Sequence, residues 1–208
     1  MKKFDYSEKE EKIFRNLKTP QKIQDYLNSL QFNFEKNGET CMSPRVVMEM
    51  KKAHCMEGAI FASACLEFNG AKPLILDLRV VKKPFDYDHV VAVFKKDGFF
   101  GAISKTNHAV LRYREPIYKS VRELVMSYFH EYYLENGQKT LREYSELLDL
   151  NRFNKLNWRT TEKDLFEIPE YLDKIKHYSI LTPKQIKNLR KVDKIEIKAG
   201  DIEEYKPN

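Results

Sequence analysis

Leu74–Val81 reads L-I-L-D-L-R-V-V. Leu74, Leu76, Leu78 and Val80 fall on one face of an extended chain, the period-two pattern of a strand. Val90–Phe94, V-V-A-V-F, predicts a second strand. Asp97-Gly98 follows, and Asp-Gly between apolar runs signals a two-residue hairpin turn, whose central residues need positive φ. Phe99–Ile103 then returns as a third strand. Such a turn sets Val91 opposite Ser104 and His89 opposite Thr106. Cross-strand partners point to the same face, so Ser104 and Thr106 share the face of His89, while Lys105 and Asn107 point away.

Helical patterns flank these strands. Upstream, Cys55–Phe68 reads C-M-E-G-A-I-F-A-S-A-C-L-E-F. Its small residues Ala59, Ala62, Ala64 and Cys65 predict a helix packed closely on a sheet. Thr19-Pro20, Ser43-Pro44 and Thr182-Pro183 each set a capping hydroxyl before a proline at the first helical position. Ile23, Tyr26, Leu27 and Leu30 recur at helical spacing after the first pair, and Val46, Val47 and Met50 after the second. Ser120-x-x-Glu123 and Thr140-x-x-Glu143 have the capping-box form. They predict helices through Leu124–Phe129 and through Tyr144, Leu147 and Leu148. Helices, a central helix, a meander of strands and further helices make an α+β fold with an antiparallel sheet. Residues 1–150 form the expected domain. Residues 151–208, where periodicity weakens, are expected to be a basic C-terminal extension.

The 208 residues, 42% of them apolar, suffice for a real core, and no apolar run reaches the length of a membrane span. The N-terminus M-K-K-F-D-Y-S-E-K-E lacks the apolar stretch of a secretory signal. Cys41, Cys55 and Cys65 form neither an even set nor a C-x-x-C pair, which argues against a disulfide framework or a zinc knuckle. A reduced, cytoplasmic protein is the simplest expectation. Of the formal charge of +6, Lys174–Lys198 alone supplies +6, with eight basic residues against Asp193 and Glu196. No aromatic-basic motif accompanies this run, so a solvated helix face is favoured over a nucleic-acid contact.

Cys55 stands at the start of the central helix, where unpaired N–H groups and the helix dipole favour a thiolate and could stabilise an oxyanion. A small buried apolar residue is the ordinary alternative. His89 opens the strand H-V-V-A-V-F, and a helix-start Cys facing a strand-start His is an arrangement for nucleophilic catalysis. Ser104 and Thr106, on the His89 face, are the candidates to meet the imidazole, with Asp86 and Asp88 just before it in the chain as alternatives. His54 is expected to point about 100° around the helix from Cys55 and to make a poor base. A metal site from His54, Cys55 and His89 matches no standard zinc spacing. His108, His130 and His177 stand isolated. The run Tyr128, Phe129, Tyr132, Tyr133 reads as core packing. Arg79, Arg112 and Arg114 read as surface charge.

A helix-start Cys in A-H-C-M-E-G-A, a strand-start His in D-H-V-V-A-V-F and a second strand F-F-G-A-I-S after a D-G turn resemble the transglutaminase-like superfamily. The resemblance covers roughly residues 44–107. It implies a papain-like core, Cys55 as nucleophile, His89 as base, and acyl transfer or hydrolysis of a peptide or small amide through a Cys55 thioester, with neither cofactor nor metal. The family's third catalytic position, an aspartate, falls on or near Ser104. Its replacement by a hydroxyl implies a second possibility, a degenerate member that binds without catalysis.

Overall fold

The computed structural model describes residues 4–206. Its helices are α1 (Glu8–Asn16), α2 (Pro20–Ser29), α3 (Pro44–Met50), α4 (Cys55–Phe68), α5 (Val121–Met126), α6 (Glu167–Lys174), α7 (Pro183–Lys187) and α8 (Lys194–Gly200). Its strands are β1 (Gln31–Phe32), β2 (Lys52–Ala53), β3 (Leu74–Val80), β4 (His89–Lys96), β5 (Phe99–Ile103), β6 (Arg114–Tyr118), β7 (Leu141–Ser145), β8 (Leu148–Asp149) and β9 (His177–Ser179). β1 and β2 form a short parallel pair. The remaining strands form an antiparallel sheet in the order β6-β5-β4-β3-β7-β9, with β8 also on β3. The fold is thus α+β on an antiparallel sheet.

The hairpin has the register expected from its turn. Asp97 and Gly98 take φ of 51° and 89°, and Ala92 pairs with Ile103 and Val93 with Ala102. Both sheet faces are covered. Ile75, Val90, Ala92, Phe94 and Ile103 pack under α4 and the N-terminal helices. Leu76, Leu78, Val91, Val93 and Ala102 pack against Leu124, Val125, Tyr128 and Tyr132 on the other side. A strand buried on both faces reads as nearly continuous apolar sequence, as β4 does. α4 is apolar all round because structure surrounds it: every residue from Met56 to Glu67 is buried.

Capping follows the sequence closely. Thr19, Ser43, Thr182 and Ser120 accept N–H bonds at the starts of α2, α3, α7 and α5, and a proline follows each of the first three. Thr140-x-x-Glu143 departs from expectation. Leu141–Ser145 is strand β7, paired with β3 and β9, and Leu148 lies in β8. Two neighbouring strands offer this segment a full backbone ladder, and tertiary pairing overrides a local capping pattern.

The expected extension is not a separate layer. Trp158 is fully buried, and Phe153, Leu165, Ile168 and Leu172 lie in the same core as Phe61 and Ile75. Arg159 pairs with the buried Glu67 of α4 at 2.6 Å. β9 adds a strand to the main sheet. Packing therefore runs across the 150/151 boundary without a break.

Candidate active site

α4 starts at Cys55 because His54 and Glu57 close a capping box around its first turn. His54 Nδ1 accepts the Met56 N–H at 3.3 Å, and Glu57 Oε2 accepts the His54 N–H at 2.9 Å. Glu57 is wholly buried. It also accepts from Thr40 Oγ1 at 2.7 Å, Asn33 Nδ2 at 3.1 Å and Met42 N–H at 3.1 Å. A buried carboxylate is tolerated when its lone pairs are filled in this way. The same bonds tie residues 33–42 to the helix start and hold His54 in place. His54 Nε2 lies 3.1 Å from Thr40 O, 3.4 Å from Glu57 Oε1 and 3.6 Å from Glu35 Oε1.

Cys55 is half-buried, with the His54 and His89 imidazoles beside it. Burial alone would disfavour the thiolate, but the bonds from the two imidazoles and their charge outweigh it and lower the thiol to about 5. Burial likewise acts to lower His54. Its bond to Cys55 and the negative charge of Cys55 and Glu57 prevail, raising it to about 9. Cys41 and Cys65 go the other way from Cys55, for burial pushes both thiols up.

His89 is buried at the start of β4, and its Nε2 lies 2.7 Å from Ser104 Oγ. Ser104 Oγ also donates to Leu111 O at 2.6 Å. A hydroxyl carries one proton. With that proton on Leu111 O, the oxygen accepts from His89 Nε2–H, and Nδ1 remains for the thiol. Ser104 is itself clamped by Gln24 of α2: Ser104 N–H donates to Gln24 Oε1 at 2.9 Å, and Gln24 Nε2 donates to Ser104 O at 2.7 Å. Asp88, an alternative orienting group by sequence, instead accepts the Val80 N–H at 2.8 Å, and Asp86 accepts the N–H of Tyr87. Burial raises Asp88 to about 6.

Lys105 does point away from the His89 face. It is buried, and its Nζ donates to Leu27 O at 3.0 Å and Leu30 O at 2.6 Å. Burial lowers it to about 8. Gly58 makes room for it, because a Cβ at Gly58 would come within 2.5 Å of Lys105 Cβ. Residues 104–107 thereby close against α4.

His54, Cys55, Asp86, Asp88, His89 and Lys105 line a cavity of about 500 Å³ that also takes in Phe32, Phe34, Tyr87, Tyr132 and Asp201. The C-terminal segment forms one wall. Asn107 bonds Tyr205 twice, Nδ2 to its carbonyl and Oδ1 from its N–H, each at 2.9 Å, and Ala109 N–H donates to Ile202 O.

Several groups depart from what local sequence predicts. His54, expected to point away, caps the helix and stands beside Cys55; only its place before an N3 glutamate signals this. Glu57 carries the matching capping-box signal at that position. Tyr132 belongs to the core, as expected, yet it also lines the cavity. His177 is not isolated, since its Nε2 lies 3.0 Å from Asp77 Oδ2. Arg79, Arg112 and Arg114 are engaged by Asp77 and Asp173, by Glu204 and by Glu131 respectively. Among the described residues, Asp77, Asp88 and Asp173 are grouped closely enough to hold a metal ion, with Asp88 and Asp173 exposed. No described helix is long and apolar enough to cross a membrane. No protein-family model and no curated protein matches this chain.

Proposed function

We propose that the chain is a cysteine acyltransferase or amide hydrolase with a papain-like, transglutaminase-like core. The observation that carries this reading is a half-buried Cys55 at a helix start beside two histidines, one of them held through Nε2 by Ser104. In the forward step the Cys55 sulfur attacks the carbonyl carbon of a peptide or small amide. The Cys55 N–H at the helix start is the oxyanion donor. The proton that Cys55 gave to His89 passes to the departing nitrogen, the C–N bond breaks, and a thioester remains. Water or an amine then attacks the thioester and gives its proton to His89. The C–S bond breaks and the thiolate returns.

Ser104 supplies an acceptor but no charge. Replacing the acid of a hydrolytic triad by a neutral group typically costs about 10⁴ in rate. Here His54 offsets part of that loss by stabilising the thiolate directly. A second reading, a non-catalytic binding module, is favoured by the missing carboxylate. Incubation with a peptide amide library and mass spectrometry of the intact protein separates the two. An acyl adduct on Cys55 that turns over supports the enzyme. Reversible peptide binding without any adduct supports the module.

A further inference from the structure

The chain is net positive, but the cleft at Cys55 is not. Glu35, Asp86, Asp88, Glu131 and Asp201 line it. Arg114 neutralises Glu131 at 2.6 Å, and Glu35 lies beside His54. Among the described residues no salt bridge reaches Asp86, Asp88 or Asp201, although Asp88 shares the Asp77–Asp173 group that Arg79 spans; backbone N–H groups occupy one oxygen each of Asp86 and Asp88. The one lysine in the cleft lining, Lys105, has its ammonium turned onto the Leu27 and Leu30 carbonyls. The other basic side chains in the lining are histidines, and His54 and His89 stand beside Cys55.

Two further features stand at the Asp86–Asp88 side. Tyr132 is 3% exposed, its hydroxyl has no hydrogen-bond partner, and it lies in the electrostatic range of Cys55, Asp77, Asp86 and Asp88. A buried hydroxyl left unpaired at the wall of a cavity is an acceptor and donor awaiting a ligand. Phe85 and Tyr87, packed edge to face at 4.8 Å, are 68% and 77% exposed beside these acids. Exposed aromatic faces next to carboxylates bind cations by both charge and ring quadrupole.

We infer that the substrate entering this cleft carries a positive charge, a Lys or Arg side chain next to the amide presented to Cys55. The cation sits between Asp86, Asp88 and the Tyr132 oxygen, with Tyr87 over it. This rests on the reading of Cys55 as the nucleophile.

The test uses three methanethiosulfonates on the full chain: 2-aminoethyl (cationic), 2-sulfonatoethyl (anionic) and methyl (neutral). Each transfers its thioalkyl group to the Cys55 sulfur and releases methanesulfinate, so one reaction reads charge alone. With each rate divided by that of free cysteine, the aminoethyl reagent should outpace the sulfonatoethyl one at Cys55. Asp86→Asn and Asp88→Asn keep the side-chain oxygens that accept from Tyr87 and Val80, and each should reduce that ratio about threefold or more. Tyr132→Phe keeps the ring and should slow the aminoethyl reagent while leaving the methyl reagent unchanged. A ratio near one, or a ratio indifferent to both Asp variants, overturns the inference. The underlying reading fails separately, if the neutral reagent labels Cys55 no faster than Cys41 or Cys65. Peptide amides with Lys, Ala or Glu beside the reacting carbonyl complete the comparison. Faster acylation by the Lys peptide supports the assignment, and equal or slower acylation refutes it.

Discussion

His89 Nε2 and Ser104 Oγ lie 2.7 Å apart, and the proton on Ser104 is spent on the Leu111 carbonyl. The imidazole therefore donates its Nε2 proton to Ser104. Ser104→Ala strips both Leu111 O and the imidazole of a buried partner, an expected cost of about 1–3 kcal/mol in chemical denaturation. Ser104→Asp adds a charge beside the ring, which favours the ion pair and should raise the Cys55 alkylation rate at acidic pH. Identical alkylation profiles in a folded Ser104→Asp protein would remove Ser104 from the site.

The three cysteines should differ sharply in reactivity. Cys55 is lowered to about 5, while Cys41 and Cys65 are raised. Its iodoacetamide rate should be flat through neutral pH and fall as the pH drops through about 5, where the thiolate takes a proton. Peptide mapping of the labelled protein reads all three sites at once. Faster labelling of Cys41 or Cys65 in the folded chain would refute the assignment.

His54 has a role that can be separated from capping. Asparagine is a good N-cap residue, so His54→Asn keeps an acceptor for the first turn and removes the imidazole beside the thiol. The alkylation midpoint of Cys55 should move upward by about one pH unit or more. Unfolding of the variant should stay cooperative. An unmoved midpoint would leave His89 as the sole source of the thiolate.

Truncation before Asn151 should abolish cooperative unfolding. The lost segment carries Trp158, Phe153, Leu165, Ile168 and Leu172 of the main core, the Arg159 partner of Glu67, and strand β9. Removing large core side chains costs about 3–5 kcal/mol apiece, comparable in sum to the whole stability of a domain. A sharp thermal transition in the truncated protein would show that residues 4–150 fold alone.

His177 links stability to pH. Burial alone would lower it, but its bonds to Asp77 and to the Ile175 carbonyl prevail, and the imidazole is raised above its ordinary value of 6.5. The folded state thus binds this proton more tightly than the unfolded chain. The contribution is full below about pH 6.5 and is lost as the pH rises through the elevated folded value. His177→Gln should flatten the pH dependence of denaturant unfolding in that range. Equal slopes for the two proteins would show that the pair does not titrate.

Much of the fold is legible in the sequence because its signals are local. Asp97-Gly98 takes the positive φ that its turn needs, and the hairpin register follows from that turn alone. The same register is enough to bring Ser104 near His89. The span of α4, Cys55–Phe68, matches the small-residue run, and the hydroxyl-proline pairs cap the helices that their spacing predicts. In each case the residues that decide the geometry are within a few positions of one another.

What only the tertiary structure decided depends on partners far apart in the chain. Leu141–Ser145 is a strand because β3 and β9 flank it, a ladder that no window around Thr140 contains. Gln24 grips Ser104 across 80 residues, and Asn107 holds the backbone of Tyr205 across 98. Trp158 enters the core although its surroundings lack periodicity. His54 joins Cys55 because the buried Glu57 gathers Asn33, Thr40 and Met42 around the helix start. Sequence by itself determined strands β3, β4 and β5, the central helix and the Cys–His–Ser order along the chain. The burial of distant polar groups against one another decided how the cysteine is charged and what walls its cleft.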